Sequence, residues 1–292
     1  MRDDFCVFIL THGRPDRVYT YETLKKSGYT GKVYIVIDDE DKTADEYRKR
    51  FGDMVLQFSK VEIAKTFDEG DNFNDRRAII YARNACWMLA EQVGCRYFVQ
   101  FDDDYTGFEY RFNSLIEPAY VDVSRTIDGV LSALVDMMDW SRAVTVALSQ
   151  GGDHIGGLAG VPVAKVRRKA MNSFVCDANK PFQFVGRVNE DVNTYTSKGR
   201  TGDLFFTVMQ AKLVQKQTQS NAGGMTDLYL DSGTYVKSFY SVMYSPSCVK
   251  VGVMGDHSSK VYRLHHVIDW TRTAPLILRE EHRKITRTRG PE

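Results

Sequence analysis

The sequence predicts an α/β protein in which helices flank a single sheet. Over the first hundred residues, short apolar stretches alternate with segments whose apolar residues recur at helical spacing, the pattern of a doubly wound sheet. Three of the apolar stretches end in polar clusters, THGRPD, DDED and DDD. In such a sheet, ligands bind at the carboxyl ends of the strands. The three clusters are therefore expected to share one ligand-binding crevice.

The first half supplies four predicted strands and three predicted helices. Each strand is a run of apolar and aromatic residues, and two of the helices end at a glycine that stops a helical pattern. The predicted strands are FCVFIL (5–10), KVYIVID (32–38), MVLQFSK (54–60) and RYFVQFDDD (96–104). The predicted helices cover residues 17–31, 43–52 and 72–94.

The second half follows a different pattern. An amphipathic helix is predicted over 127–141 and a strand over 143–149, followed by the glycine-rich loop GGDHIGG at 151–157. From there to about residue 260 the sequence predicts short strands, aromatic residues and turns, including SGTYVKSFYSVM (232–243). No linker separates the halves, so we expect them to share one continuous sheet.

Composition excludes several classes of protein. The chain has 292 residues and a formal net charge of +1, so DNA or another polyanion could be attracted by local patches but not by the overall field. The 5 cysteines are scattered without a CxxC pair, which favours a reduced compartment over disulfides or zinc. No stretch approaches the roughly 20 apolar residues that a membrane span needs. We expect a soluble cytoplasmic protein without a membrane partner.

The DDD cluster raises the main chemical question, because three like charges at the end of a buried strand repel one another. In an extended segment, Asp102 and Asp104 face the same side and Asp103 faces away. Two carboxylates that face one point suit Mg²⁺ or Mn²⁺. The alternative is a solvated turn whose acids cap the next helix. The polar ends of the other strands favour the metal hypothesis.

Other candidate residues lie at the neighbouring strand ends. Arg83 precedes the DDD strand and could bind a phosphate or a pyrimidine edge, or could pair with a nearby surface acid. Arg14 follows the first strand and could contact a nucleotide, or its GRP segment could be a common turn. Asp38 or Asp39, after the second strand, could bind ribose hydroxyls or belong to a solvated loop. Each alternative stays open from sequence.

Two further candidates lie late in the chain. Glu190 and Asp191 precede a predicted helix, where an acid can cap the helix or act as a general base. His265 and His266 follow each other in LHH, and either could complete a metal shell begun by Asp102 and Asp104. A structural histidine is the alternative.

The chain carries an ordered set of motifs, THGRP (11–15), YIVIDDED (34–41), FDDDY (101–105), VGRVNEDVNTY (185–195), GGMTDLYLDSGTYVKSFYSVM (223–243) and LHH (264–266). The set resembles one family of enzymes, the TET-associated glycosyltransferases of phages and their relatives, which are GT-A glycosyltransferases. The similarity runs from about Phe5 to about Lys284.

The resemblance implies a GT-A-like, Rossmann-type fold that binds a nucleotide sugar. A single domain would span 1–292, with a nucleotide-binding half over 1–110, an acceptor-binding half over 111–284 and a flexible tail over 285–292. It also implies transfer of a hexose from a UDP-sugar, with UDP-glucose the first expectation. The acceptor would be the hydroxymethyl group of 5-hydroxymethylcytosine or 5-hydroxymethyluracil in DNA, in the cytoplasm of a phage-infected host.

The same resemblance assigns roles to the candidate residues. Asp102 and Asp104 would hold Mg²⁺ or Mn²⁺ on the donor diphosphate, with His265 or His266 as a further ligand. Asp191 would be the base if the reaction inverts the anomeric carbon, and Glu190 would bind acceptor or sugar hydroxyls. In a retaining enzyme Asp191 would bind sugar instead. The donor nucleotide would be contacted by Thr11, Arg14, Asp39 and Arg83, and Asp103 would meet the donor ribose or a nearby arginine.

A DNA acceptor also calls for basic and aromatic residues. KVRRK (165–169) and RKITRTR (283–289) are basic clusters, and Lys212 and Lys216 lie in a polar segment; each could contact phosphates or be ordinary surface. A base inside a duplex must be flipped out or lie in an exposed strand to be reached. The candidates to stack on that base, or to form core instead, are Tyr235, Phe239 and Tyr240.

Three other functions stay open from sequence. One is a GT-A glycosyltransferase with a protein or polysaccharide acceptor, and another is a non-catalytic module that binds modified DNA. The third is a nucleotidyltransferase, which also uses paired aspartates but releases diphosphate from a nucleoside triphosphate.

Overall fold

A computed structural model describes residues 1–71, 76–113, 118–122, 125–154, 168–215, 226–256, 261–273 and 278–283. The strands are β1 (Phe5–Leu10), β2 (Lys32–Asp38), β3 (Val55–Phe58), β4 (Tyr97–Asp102), β5 (Tyr105–Asn113), β6 (Pro118–Asp122), β7 (Thr145–Ser149), β8 (Phe174–Asp177), β9 (Phe205–Gln215), β10 (Val249–Asp256) and β11 (Val261–Ile268). The helices are α1 (Tyr19–Lys26), α2 (Ala44–Phe51), α3 (Lys60–Ala64), α4 (Ile80–Gln92), α5 (Ile127–Ser141), α6 (Glu190–Gly199), α7 (Thr226–Tyr244), α8 (Trp270–Thr273) and α9 (Glu280–Arg283).

Nine of these strands form one mixed sheet in the order β3-β2-β1-β4-β8-β7-β9-β5-β6. The four strands from the first half are parallel to one another, and β8 joins them by pairing antiparallel with β4. Both halves of the chain thus contribute to one sheet, and the predicted fold class, a mixed sheet flanked by helices, is confirmed. Within the described residues, β10 and β11 form a separate antiparallel hairpin.

Successive side chains of β1 point to opposite faces of the sheet, and each face packs against helices. Phe5, Val7 and Ile9 belong to a core shared with α1, α2 and α5, whereas Cys6 and Phe8 belong to a second core shared with α4 and α6. Every residue of β1 is buried, as expected for a central strand of a parallel sheet that is covered on both sides. This rigid centre fixes the position of the loop that follows β1.

The segment predicted as short strands and turns around residues 232–243 is instead part of the 19-residue helix α7, so that prediction was wrong. Its aromatic and β-branched residues favour strands in isolation. The buried side chains of Ser238 and Ser241 in α7, and of Ser245 directly after it, recur at helical spacing, and tertiary packing on this small-residue face overrides the local preference. The predicted helix over 72–94 is observed from Ile80 to Gln92, and residues 72–75 lie outside the described residues.

Candidate active site

The candidate site lies where β1 and β4 end side by side, as the polar strand ends predicted. Leu10 pairs with Asp102 in the parallel register, which brings the residues that follow each strand together. Thr11 Oγ1 donates a hydrogen bond of 2.6 Å to Asp103 Oδ2, and Arg14 Nε lies 3.3 Å from the same oxygen. The structure therefore brings together three of the predicted nucleotide-site residues, with Arg14 beside Asp103.

The three aspartates do not continue as a strand. Asp103 and Asp104 form a turn between β4 and β5, so the expectation of extended alternation was wrong. The turn carries Asp103 inward, where it is 3% exposed. The Asp103 main-chain carbonyl also accepts a bond of 3.1 Å from the Thr20 amide. The three carboxylates thus occupy three different environments.

Asp102 and Asp104 carry raised pKa values. Burial raises the pKa of Asp102 to about 6, and the negative charges of Glu190 and Asp103 add to the effect, although Arg83 opposes it. Burial also raises the pKa of Asp104 to about 7, together with the charges of Asp102 and Asp103. A pKa rises in this way when negative charge is incompletely balanced in a desolvated site. Such a pair of carboxylates favours a bound cation.

Arg83 bridges the two acidic parts of the site. Its Nη2 lies 3.1 Å from Asp102 Oδ1 and its Nε lies 3.0 Å from Glu190 Oε1, and the guanidinium stacks over Phe174 at 4.8 Å. The side chain is 2% exposed. Among the described residues, Nη1 is buried without a hydrogen-bond partner. Arg83, predicted to contact the nucleotide, thus pairs with both carboxylates and holds them together.

Glu190 and Asp191 were expected to precede the helix, but they are the first two residues of α6. Asn189 occupies the left-handed region before them, with φ of 62°. Asp191 Oδ1 accepts a 2.7 Å bond from the Val192 amide, which orients the carboxylate at the positive end of the helix dipole. Burial and the charge of Asp191 raise the pKa of Glu190, with Arg83 opposing.

Of the two late histidines, His266 reaches the same region through Asn189. Asn189 Nδ2 lies 3.2 Å from His266 Nδ1 and donates a 2.7 Å bond to Ser241 Oγ of α7. Burial lowers the pKa of His266 to about 3, and neighbouring cationic groups add to this. The ring is therefore neutral, as a metal ligand must be.

A divalent ion fits the aspartates better than it fits a combined set of aspartates and histidines. Among the described residues, no group of three or more histidine, cysteine, aspartate or glutamate side chains could hold a metal ion. The predicted joint ligand set of Asp102 and Asp104 with His265 or His266 is thus not assembled in this part of the chain. Mg²⁺ and Mn²⁺ do not need such a set, since one or two carboxylates plus substrate phosphates suffice.

A second polar cluster lies at the end of β2, and sequence reasoning largely missed it. Asp38 lies 2.7 Å from His12 Nδ1 and 3.0 Å from Lys60 Nζ. The hydrogen bond to Asp38 raises the pKa of the half-exposed His12. Asp39, predicted to bind the nucleotide, accepts a 2.9 Å bond from the Lys60 amide at the start of α3. The available signal was the position of His12, two residues beyond a buried strand.

Tyr47 was also missed, because its position inside α2 gives no sign of a role in the β1 loop. Its hydroxyl accepts a 2.8 Å bond from the Arg14 amide and lies 2.8 Å from Thr11 Oγ1. The side chain is fully buried. Tyr47 thus holds in place the loop that carries two of the predicted nucleotide contacts.

The basic clusters predicted to meet DNA are described in part. Lys169 forms an ion pair with Asp153 of the glycine-rich loop, and Lys212 pairs with Glu109 across β9 and β5 at 2.9 Å. These two lysines therefore already have protein partners. Residues 155–167, Lys216 and 284–292 lie outside the described residues.

A mixed sheet with paired aspartates at the end of a central strand is the arrangement that the resemblance to GT-A glycosyltransferases led us to expect. A family model described as TET-Associated Glycosyltransferase matches residues 5–224. The match covers most of the chain, which therefore belongs to the TET-associated glycosyltransferase family. The motifs GTYVKSFYS and LHH lie beyond the matched range. No curated protein matches the sequence.

Three solved structures are similar in arrangement. One is glucosyl-3-phosphoglycerate synthase from Mycobacterium tuberculosis in complex with Mg²⁺ and UDP, with a TM-score of 0.46, 10% identity and coverage of 91% of this chain and 88% of that one. Another is the same synthase with Mn²⁺, UDP and phosphoglyceric acid, with a TM-score of 0.43, 11% identity and coverage of 91% and 87%. A third, described as a mycobacterial protein, has a TM-score of 0.40, 9% identity and coverage of 91% and 84%.

In the described parts of the chain, no helix is both long enough and apolar enough to span a membrane.

Proposed function

We propose that this glycosyltransferase moves a sugar from a UDP-sugar, UDP-glucose in the first instance, to the hydroxymethyl group of 5-hydroxymethylcytosine or 5-hydroxymethyluracil in DNA, with Mn²⁺ or Mg²⁺ as cofactor. The observation that carries the proposal is the cluster in which Arg83 joins Asp102 to Glu190 beside Asp104. It supplies the pair Asp102 and Asp104 for a cation, and the acidic residues at the start of α6 for the acceptor.

Asp102 and Asp104 would hold the divalent ion together with the donor diphosphate. When bound, the ion supplies Lewis-acid stabilisation of the charge that develops on the departing diphosphate. Both carboxyls must be ionised to bind it, which their raised pKa values make dependent on pH near neutrality. Arg83 limits the rise in the pKa of Asp102, and its ion pair with Asp102 fixes the orientation of that carboxylate.

Donor contacts would come from the loop after β1 and from the end of β2. Arg14 and Thr11 share Asp103 as a partner, so a nucleotide bound there would meet a guanidinium whose position is already fixed. Asp39 stands one residue beyond the His12–Asp38 pair. We assign the ribose and the base of the donor to this end of the crevice.

Asp191 would act on the acceptor. One of its oxygens, Oδ1, is held by the Val192 amide, which leaves Oδ2 to take the proton of the hydroxymethyl group. The acceptor oxygen then bonds to the anomeric carbon, the bond from that carbon to the diphosphate oxygen breaks, and UDP leaves with both electrons of that bond. This assignment requires inversion of the anomeric carbon. Glu190 would accept hydrogen bonds from sugar or acceptor hydroxyls.

The test uses purified protein, Mn²⁺, a panel of UDP-sugars and DNA that contains 5-hydroxymethylcytosine or 5-hydroxymethyluracil. After digestion to nucleosides, mass spectrometry should show the gain of one hexose, lost with chelator and in Asp102→Asn but retained in the control Asp45→Asn, whose carboxylate is fully exposed. Hydrolysis of UDP-sugar without a DNA product would contradict the acceptor and leave a protein or polysaccharide as the alternative. DNA binding without hydrolysis or transfer would contradict catalysis itself.

A further inference from the structure

Exposed apolar residues are concentrated on α7 and the β10–β11 hairpin, which pack against each other. Of the 12 exposed large hydrophobic residues in the described part of the chain, 9 lie between residues 235 and 270. A concentration of apolar residues on a solvent-exposed face indicates an interaction surface. We refer to the exposed residues of α7 and the hairpin as the α7–hairpin surface.

Two exposed aromatic rings on α7 lie parallel to each other. Tyr235 and Phe239 are one helical turn apart, with exposures of 47% and 42%. Their ring centroids lie 5.7 Å apart and their planes differ by 12°. Tyr240, the third aromatic residue considered from sequence, is buried and hydrogen-bonded to Asp71, so it does not belong to this exposed pair. Parallel exposed rings are suited to stacking against bases of any sequence.

Cationic groups lie around the same surface. Lys237 is on α7, and Arg263 is exposed on β11. The helix and the hairpin pack against each other, so these two cations lie on neighbouring elements. On β10, the exposed Lys250 adds a further positive charge. Aromatic rings among lysine and arginine match a polynucleotide, which offers bases and phosphates together, better than they match a purely apolar protein partner.

The surface adjoins the candidate active site. Asn189 immediately precedes Glu190 and contacts both Ser241 of α7 and His266 of β11. The loop before α6 is therefore held by the two elements that carry the exposed rings and cations. A strand bound along this surface would enter the site from the side of Glu190 and Asp191, where the acceptor is expected.

We propose that the α7–hairpin surface binds the single-stranded segment of acceptor DNA beside the modified nucleotide, with bases stacked on Tyr235 and Phe239 and phosphates against Lys237 and Arg263. The proposal rests on the proposed function for the identity of the acceptor. It adds the class of nucleic acid, an unpaired strand, and the residues that hold it outside the reacting centre.

The test measures fluorescence anisotropy of a labelled, unmodified 12-nucleotide DNA strand with the full-length protein and no donor. Tyr235→Ala/Phe239→Ala should weaken binding about tenfold or more, whereas Lys237→Gln/Arg263→Gln should weaken it and also reduce its dependence on salt. The matched control is Met88→Ala/Trp140→Ala, which removes two side chains of 48% and 89% exposure from other helices and should leave binding unchanged. Transfer assays should show a raised KM for oligonucleotides in both test variants, with transfer to the free mononucleotide unaltered.

The outcomes separate this proposal from the proposed function. If wild-type protein transfers sugar to DNA but both variants bind and react like wild type, the α7–hairpin surface is not the DNA surface. If the variants lose DNA binding although no sugar is transferred by any form, the surface stands and the proposed reaction is wrong. If wild-type protein binds no strand and the aromatic variant changes from dimer to monomer in sedimentation, the surface joins two copies of the chain and the proposal is overturned.

Discussion

Replacement of Arg83 by methionine tests the bridge between the two acidic parts of the site. Arg83→Met removes one guanidinium that is shared by Asp102 and Glu190, at 3.1 and 3.0 Å. Methionine keeps much of the apolar stem but no charge. Both carboxylates then lie in a mostly buried place without their partner. We expect a protein that folds and is markedly less stable at neutral pH.

The magnitude follows from the burial of the groups involved. Removal of one partner of a buried ion pair costs about 3–5 kcal/mol, and the lower end applies because the side chains of Asp102 and Glu190 are 23% and 13% exposed. The lost contact of the guanidinium with Phe174 adds about 1 kcal/mol. The free energy of unfolding should therefore fall by about 4 kcal/mol at pH 8.

The loss should shrink on acidification. The pKa of Asp102 is already raised to about 6, and without Arg83 it rises further above the unfolded value. The folded variant then binds protons that its unfolded state does not bind, so its stability relative to wild type falls as pH rises through this range. At pH 5.5 the carboxyls of the variant are largely neutral, and the difference from wild type should fall to about 2 kcal/mol.

Urea unfolding of both proteins at pH 5.5 and pH 8 measures the difference. The control Arg48→Met removes an exposed arginine on α2 and should change stability by less than about 1 kcal/mol at either pH. Arg83→Met/Glu190→Gln should be more stable than Arg83→Met at pH 8, because one unbalanced charge has been removed. A loss that is the same at both pH values would refute the electrostatic role of Arg83.

Three further predictions concern the cation and the loop after β1. Asp104→Asn should reduce metal-dependent transfer at least a hundredfold on the scale of lost charge stabilisation in an active site, with little change in fold by circular dichroism; near-normal rates at saturating Mn²⁺ would exclude it as a ligand. Because the pKa values of Asp102 and Asp104 are about 6 and 7, protons compete with the ion, and the rise in Tm on adding Mn²⁺ should grow from pH 6 to pH 8; a rise that is independent of pH would argue for ligands that do not titrate there. Tyr47→Phe leaves the Arg14 amide without its acceptor and should lower the free energy of unfolding by about 1–3 kcal/mol, whereas an unchanged urea midpoint would show that the loop does not depend on this bond.

The sequence predicted the bounds of those strands and helices that carry a single strong signal. The boundaries of β1, β2 and α5 agree with the predicted ranges, because each is an apolar run or a helical repeat with clear ends. The common position of the strand ends followed from parallel topology alone. The helix α7 was missed because its aromatic and β-branched composition resembles a strand, and the buried serines that define its inner face carry little hydrophobic signal.

The contacts between residues of the candidate site could not be predicted from the sequence in the same way. Arg83 and Glu190 are separated by 107 residues, and nothing local to either indicates the other. A turn at the aspartates was weighed as the alternative to continued extension, and a run of aspartates after a strand has no feature that decides between the two. Lys60 and Tyr47 lie at the start of α3 and inside α2, so their contacts with the strand ends depend on how those helices pack.

The different environments of the three aspartates explain how the protein tolerates them. Asp102 is balanced in part by Arg83, and Asp103 by Arg14 together with the Thr11 hydroxyl. Asp104 lies next to both of these carboxylates, and burial with their charges holds its pKa near 7. The protein therefore provides partial balance for two of the three charges and leaves the third titrating at neutral pH. A divalent cation between Asp102 and Asp104 would supply the missing positive charge. We infer that the repulsion in the DDD cluster persists because it is relieved by the ion that accompanies the donor.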